Sequence, residues 1–469
     1  MEPRNRELFQ RFLNKKQISF EVESYCFDKQ IEFIKHPNRW KTACCGGRAG
    51  KTVADAAYLV DIALKKPGSV ALYLTLSRSN AKKLIWPELK IINQQFQLNG
   101  DVNESDLSLR FGNSFIYASG ASTRNDIEKF RGLPLAICII DEVQSFPSYI
   151  RELIDEVITK RLFDYNGVLA LTGTPGPVPN GYFYDSCHNP AYAHFHWTMF
   201  ENPWIEKKSG KKAQTLLEEE LARKGITIED ATIQREVFGR WVLDTRRLVI
   251  EYNPSKNHYD ELPRGNYKHI LGIDIGYEDS DAIGVLGFSD ESPTTYLVEE
   301  CITAKQGLTE LVNQIEELRK KYNPFKLMID EGGLGKKLAE EMRRRYLIPV
   351  HGADKTRKFE TIEILNDCLR TSRFMAKKGS VFANDSTKLE WDFDRMRPDK
   401  KVVSDRFHSD IIDAVLYGFK ESPAYTWEPP KIKPKEGTPQ WAKEEEDSMY
   451  QAELNRLTQE QTETGMDWL

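Results

Sequence analysis

The chain has 469 residues with 40% hydrophobic and 29% charged residues, a composition that suits two or three soluble globular domains and excludes a disordered or fibrous chain. No run of about 18 apolar residues occurs, and the N-terminus "MEPRNRELFQRF" is charged from its second position, so neither a membrane span nor a signal peptide is expected. The net charge of −5 is concentrated at one end, because the segment from Glu421 onward holds 11 acidic against 5 basic residues and leaves the body near neutral. A nucleic-acid partner is therefore not excluded, since binding depends on local basic patches. Arg343 to Arg345, Lys377 with Lys378, and Lys400 with Lys401 are the candidates. Seven cysteines without a Cys-x-x-Cys pair argue for reduced thiols rather than disulfides or structural zinc.

In chain order, "YCFDKQIEFI" comes first and places Gln30 where it can read an adenine. "TACCGGRAGKTVADAAYL" follows from Thr42. A phosphate-binding loop needs small residues so that consecutive backbone N–H groups face the phosphates, a lysine for the β and γ oxygens, and a hydroxyl for Mg2+. Gly46, Gly47, Arg48, Ala49 and Gly50 supply the loop, Lys51 the cation and Thr52 the hydroxyl; Cys45 stands where the usual pattern has glycine. Apolar runs then alternate with helical patterns up to "GVLALTGTPG", which predicts an α/β domain with a mainly parallel sheet.

Within that domain, "LAICIIDEVQSF" is an apolar strand that ends in two carboxylates, at the edge where α/β sheets hold ligands. Asp141 suits the magnesium shell, and Glu142 suits the orientation and deprotonation of an attacking water. Thr172 and Thr174 in "TGTPG" are placed to bond near the γ-phosphate. Arg48 can act on its own nucleotide, and Arg131, just ahead of the acidic strand, can reach that of a neighbouring subunit. The expected ligands are ATP and Mg2+. From about Asn202 to Pro263 the chain reads as a polar, helical connecting subdomain.

Beyond Tyr267, "HILGIDIGY", "DAIGVLGFS" and "TTYLVEECIT" predict an antiparallel meander, followed by alternating helices and strands. That is ribonuclease-H-like order. Asp274 projects from the middle of the first strand, Asp330 ends "KLMID", and Asp410 and Asp413 share one face of a helix. Acids gathered without basic partners repel one another unless metal neutralises them, and two Mg2+ or Mn2+ ions bridged by Asp274 fit oxygen-only ligands. His408 reads as a surface or capping residue. The last stretch is Pro- and charge-rich with scattered Trp441, Met449, Tyr450 and Leu454, which suits a segment that orders on a partner.

Taken in order, "CCGGRAGKT", "FRGLPLAICIIDE", "LALTGTPG", "REVFGRWV", "GIDIGYEDSDA", "IDEGGLGKK" and "HSDIIDAVLYG" resemble the large terminase subunit of tailed bacteriophages over roughly residues 25 to 420. The resemblance implies an N-terminal P-loop ATPase domain (1–202), a connecting subdomain (203–264), a ribonuclease-H-like nuclease domain (265–420) and an acidic tail (421–469). It implies ATP-driven translocation of double-stranded DNA through the portal into a procapsid, and metal-dependent cutting of concatemeric genomes. It also implies a small terminase subunit as partner, a pentameric ring on the portal with Arg131 acting in trans, and work in the host cytoplasm without retention in the mature virion. Asp274, Asp330 and Asp410 become the nuclease triad, with Asp413 in support. The alternatives are a helicase-like or remodelling ATPase with an accessory nuclease, and a DNA-binding structural protein that lacks catalysis.

Overall fold

A computed structural model describes residues 20–276, 280–304, 306–332, 335–393, 395–397 and 400–422, with Pro439, Lys443, Glu446 and Met449. Trp441, Tyr450 and Leu454 of the expected partner-binding tail lie outside the described residues. Residues through Ser422 form one compact unit.

Its first half is built on an eight-stranded sheet. The strands are β1 (Trp40–Cys44), β2 (Val70–Thr75), β3 (Asp101–Asn103), β4 (Ser108–Phe111), β5 (Ser114–Gly120), β6 (Leu135–Ile140), β7 (Val168–Gly173) and β8 (Ala193–Phe195), in the order β3-β4-β5-β2-β6-β7-β1-β8. All pairings from β5 to β8 are parallel, as the sequence predicts, whereas β3, β4 and β5 form an antiparallel edge that it did not signal. Strands β2 and β6 are buried at every position because helices and loops cover both faces, which is why they read as unbroken apolar runs. One face packs Phe33, Tyr58 and Trp86 with helices α1 (Lys51–Lys65) and α2 (Arg78–Gln95); the other packs Leu72, Ile140, Leu153 and Phe183. Lys41, inside β1, is wholly buried, and its three donors meet Phe33 O at 2.7 Å, Ile34 O at 3.0 Å and the Tyr58 hydroxyl at 2.8 Å. Burial pushes its ammonium down to about 7.

The second sheet contains β9 (His258–Tyr259), β10 (Lys268–Asp274), β11 (Ser280–Ser289), β12 (Ser292–Ala304), β13 (Lys326–Ile329), β14 (Val350–Gly352) and β15 (Phe374–Lys377), ordered β14-β13-β10-β11-β12-β15-β9. β10, β11 and β12 are the expected antiparallel meander, and β13 joins β10 in parallel. Helices α3 (Leu308–Tyr322), α4 (Gly335–Arg345), α5 (Lys358–Arg370) and α6 (Asp410–Lys420) complete this half. The segment before β10 is also part of it: Val249 N donates to Leu389 O at 3.0 Å, and Asn257 bonds Leu369 O and Phe374 O.

Helix α6 lies almost on the backbone of β10. A Cβ at Gly272 would stand 1.9 Å from Ala414 O, which is backbone and cannot yield, so this strand position has room for a hydrogen only. The close approach sets α6, with Asp410 and Asp413 in its first turn, over the end of β10. Gly272→Ala is expected to lower stability by about 1–3 kcal/mol in calorimetry, whereas Gly307→Ala, whose Cβ would meet nothing closer than 4.0 Å, should be nearly neutral.

Candidate active sites

Each sheet delivers carboxylates at the end of a central strand. In the first, the chain leaves β1 at Cys44, runs through the glycine-rich loop and enters α1 at Lys51. Cys45, the departure from the usual pattern, is fully buried and donates its N–H to Gly173 O at 3.0 Å. The helical segment Ala231–Glu236 and the residues after it press on the loop from outside: Gly47 N donates to Glu236 O at 2.5 Å, and a Cβ at Gly46 would sit 2.1 Å from Val237 O. Helices Trp204–Ser209 and Ala213–Lys224 roof a cavity of about 690 Å³ over the loop, lined also by Leu84, Asp141, Glu142 and Thr174. The expected connecting subdomain thus contributes walls to this site.

Lys51 Nζ meets Gly46 O at 3.2 Å and Thr174 Oγ1 at 3.1 Å, with Glu142 Oε1 at 3.9 Å. Asp141, directly after β6, is buried and accepts from Tyr73 OH at 2.6 Å and Thr172 Oγ1 at 2.8 Å. These donors are neutral and hold the carboxylate without cancelling its charge. Glu142 takes left-handed backbone (φ +52°), an uncommon state for a non-glycine residue and one that concentrates at functional sites. Desolvation first, and then the charge of Asp141, pushes its carboxyl up to about 7, with Lys51 opposing. Thr172 is fully buried and faces Asp141 and Asp55 (3.2 Å), so Thr174 is the threonine of "TGTPG" that meets the lysine.

Asp55 was not singled out from sequence. One turn past Lys51 on α1, it is fully buried, and its Oδ1 has no hydrogen-bond partner. Burial, then Asp141, holds its carboxyl well above the usual carboxylate range. The available signal was a lone acid inside the small apolar run "TVADAAYLV". Gln30 is buried, and its amide is engaged by the protein: Oε1 accepts from Phe27 N at 3.2 Å and Nε2 donates to Gly50 O at 2.8 Å. Thr52 sits half-buried in the first turn of α1, beside the cavity, and Ala49 O accepts from Trp197 Nε1 at 2.9 Å. Arg48 is exposed. Arg131 pairs with Glu128 at 2.7 Å, half exposed, in the segment between the helical turn Arg124–Phe130 and β6.

In the second sheet, Asp274 is the last residue of β10 rather than a mid-strand residue, because the chain turns out of the ladder at Gly276, whose N–H bonds Asp281 Oδ1 at 3.1 Å. Asp330 follows β13, and Ser409 caps α6 so that Asp410 and Asp413 face the same corner. Candidate ligand atoms of Asp274, His408 and Asp413 lie within 4.8 Å of one another. Asp274 is buried, and desolvation, followed by the charges of Asp413, Asp330 and Asp410, pushes its carboxyl up to about 7, with His408 opposing.

The expectation of acids without basic partners is corrected here. Lys355 Nζ stands 2.5 Å from Asp330 Oδ2, Lys358 Nζ 2.6 Å from Asp413 Oδ1, and His408 Nε2 3.1 Å from Asp410 Oδ1. The donor set is also not oxygen-only, since the imidazole of His408 joins it. That ring is raised above its ordinary value chiefly by its bond to Asp410. Two carboxylates with one imidazole, and two further carboxylates beside them, still fit a hard divalent cation such as Mg2+ or Mn2+. Of the basic clusters read from sequence, Arg343 bonds Val350 O and Glu331, next to Asp330, Lys401 pairs with Glu363, and Lys377 and Lys378 line a cavity with Glu299.

No protein-family model matches the chain. Among curated proteins, the large terminase subunit of Escherichia phage T5 is 19% identical over 320 residues, which span 64% of this chain and 68% of that protein. Among solved structures, the large terminase of bacteriophage HK97 is similar with a TM-score of 0.53 at 12% identity, covering 85% of this chain and 95% of that one. The resemblance to phage large terminase subunits is borne out. The large terminase of a thermophilic bacteriophage also covers 83% of this chain and 97% of its own, at 16% identity and a TM-score of 0.39. The fold shared with the terminase of HK97 is mixed α/β, a mainly parallel first sheet followed by a second sheet built on an antiparallel meander. Among the described residues no helix is long and apolar enough to cross a membrane.

Asp274 supplies a test independent of activity. A carboxyl whose folded value is raised from 3.8 to about 7 contributes its stability fully below pH 3.8 and loses it as pH rises through 7. In metal-free buffer at pH 8, Asp274→Asn should therefore raise stability by up to about 4 kcal/mol, a gain that vanishes near pH 4. Mn2+ should raise the wild-type Tm and leave that of the variant nearly unchanged.

Proposed function

We propose that this chain is the large subunit of a phage terminase, which drives double-stranded DNA into procapsids through the portal by ATP hydrolysis and cuts concatemeric genomes with a metal-dependent endonuclease. The observation that carries this reading is one chain holding two carboxylate-bearing strand ends: Asp141 and Glu142 facing a lysine-bearing loop in the first sheet, and Asp274 with Asp330, Asp410 and Asp413 in the second. A helicase would place a second parallel motor sheet after the first. The meander β10–β12 stands there instead.

In this reading the amides of residues 46–50 and Lys51 hold the phosphates of ATP, and Thr52 and Asp141 hold Mg2+. Tyr73 and Thr172 fix the orientation of Asp141, and Glu142 accepts a proton from the attacking water. Arg131, whose side chain is half exposed, serves the next subunit in a pentameric ring assembled on the portal, while exposed Arg48 is the candidate within the subunit. The nuclease acids hold two Mg2+ or Mn2+ ions, which when bound supply charge neutralisation and an activated water. We assign 1–202 to the motor, 203–264 to a connecting subdomain whose end joins the second sheet as β9, 265–420 to the nuclease and 421–469 to a tail for the portal or procapsid. The small terminase subunit is the further partner, and the host cytoplasm is where the reading places the protein.

A base must be ionised before it can accept a proton, so the carboxyl of Glu142, held at about 7, sets an acid limb on the motor. ATP turnover should fall about tenfold per pH unit below that value. Glu142→Gln should reduce turnover by roughly 10³-fold or more and leave Mn2+-dependent plasmid cleavage intact. Loss of both activities in a folded Glu142→Gln protein would overturn the two-site reading.

A further inference from the structure

The acids of the second site are recessed, with Asp330 and Asp413 side chains 18% and 14% exposed, whereas Lys355 and Lys358 above them are 48% and 42% exposed. The two ammonium groups thus lie on the solvent side of the carboxylates they meet, in a corner whose charges also act on Asp274. We infer that Lys355 and Lys358 are contacts for the phosphodiester backbone of the DNA to be cut, held on Asp330 and Asp413 until divalent cations take those carboxylates. This inference rests on the nuclease reading above.

Three observations support it. The lysine end of each pair is nearly half exposed, so a released ammonium is taken up by water. The segment that carries the lysines is anchored independently, because Lys420 Nζ bonds Asp354 Oδ2 at 2.6 Å and Thr356 O at 2.7 Å. Released from their carboxylates, the ammonium groups therefore remain beside the site on flexible stems. Lys355 has a second neighbour, the ring of Tyr417 with its centroid 5.8 Å from Nζ, and the Tyr417 hydroxyl is itself raised by burial and by Asp274, Asp413 and Asp330. A divalent cation on the acids repels both lysines, and the next anion to arrive at the same opening is a DNA phosphate. Such contacts position the duplex and carry no sequence preference.

The test uses the full chain with Lys355→Ala, Lys358→Ala and the corresponding arginine variants. Mn2+ binding is measured by calorimetry. Binding of a duplex of about 30 base pairs is measured in Ca2+ by fluorescence anisotropy across a salt series. Each alanine variant should bind Mn2+ about two- to fivefold tighter, the size of a lost exposed ion pair. Each should also bind DNA more weakly, with the slope of log K against log salt reduced by about 0.9; arginine should restore the slope. If an alanine variant fails to fold, glutamine replaces it with the same expectation. Tighter Mn2+ with an unchanged slope would make the lysines mere counter-ions and overturn the phosphate role. Unchanged Mn2+ and unchanged slope would overturn the exchange altogether. If Asp274→Asn leaves wild-type Mn2+ affinity intact, the nuclease reading itself fails, a result that the lysine variants alone cannot produce.

Discussion

Carboxylates packed against carboxylates at the C-terminal ends of buried strands are the feature on which both halves of this molecule depend. Asp141, Asp55 and Glu142 converge beside β6 and β7, and Asp274, Asp330, Asp410 and Asp413 converge beside β10 and β13. Poor solvation and like-charge repulsion both disfavour ionisation there. Each set therefore has to be compensated, and the two do it differently. In the first, the neutral hydroxyls of Tyr73 and Thr172 hold Asp141, and Lys51 at 3.9 Å from Glu142 is the one cation beside it among the described pairs. The second is covered by Lys355, Lys358 and His408, cations that the chain itself supplies.

Much of the remaining architecture serves to bring those groups to one place. Gly272 lets α6 settle onto β10, so that two acids of a helix meet one of a strand although more than 130 residues separate them in sequence. In the first half, the chain after residue 230 returns to touch the glycine-rich loop through Glu236 and Val237. The same stretch then continues into the second sheet through Val249, β9 and their partners. The polypeptide between the sheets is accordingly part of both, and its helices wall the cavity above Lys51.

The strands that carry the acids were legible in the sequence because each is an unbroken apolar run that stops at a carboxylate, as in "LAICIID" and "KLMID". The glycine-rich loop and the three-stranded meander were legible for the same reason: their signals are local. What the sequence hid is pairwise and distant. Nothing near Lys355 or Lys358 announces Asp330 or Asp413 as partners, and His408 gave no sign of reaching Asp274. Asp55 became meaningful only when β6 and β7 brought Asp141 and Thr172 beside it. Gln30 shows the converse, since a residue placed well for a ligand in one dimension has its amide bonded to Phe27 N and Gly50 O in three.

The central claim is that the acids beside β10 form a divalent-cation site screened by lysines, and a crystal structure of the full chain grown with Mn2+ tests it most directly. Anomalous difference density should lie against Asp274 and Asp413, with Lys355 and Lys358 turned away from Asp330 and Asp413. Density confined to other parts of the molecule, with both lysines still seated on their carboxylates at saturating Mn2+, would contradict it.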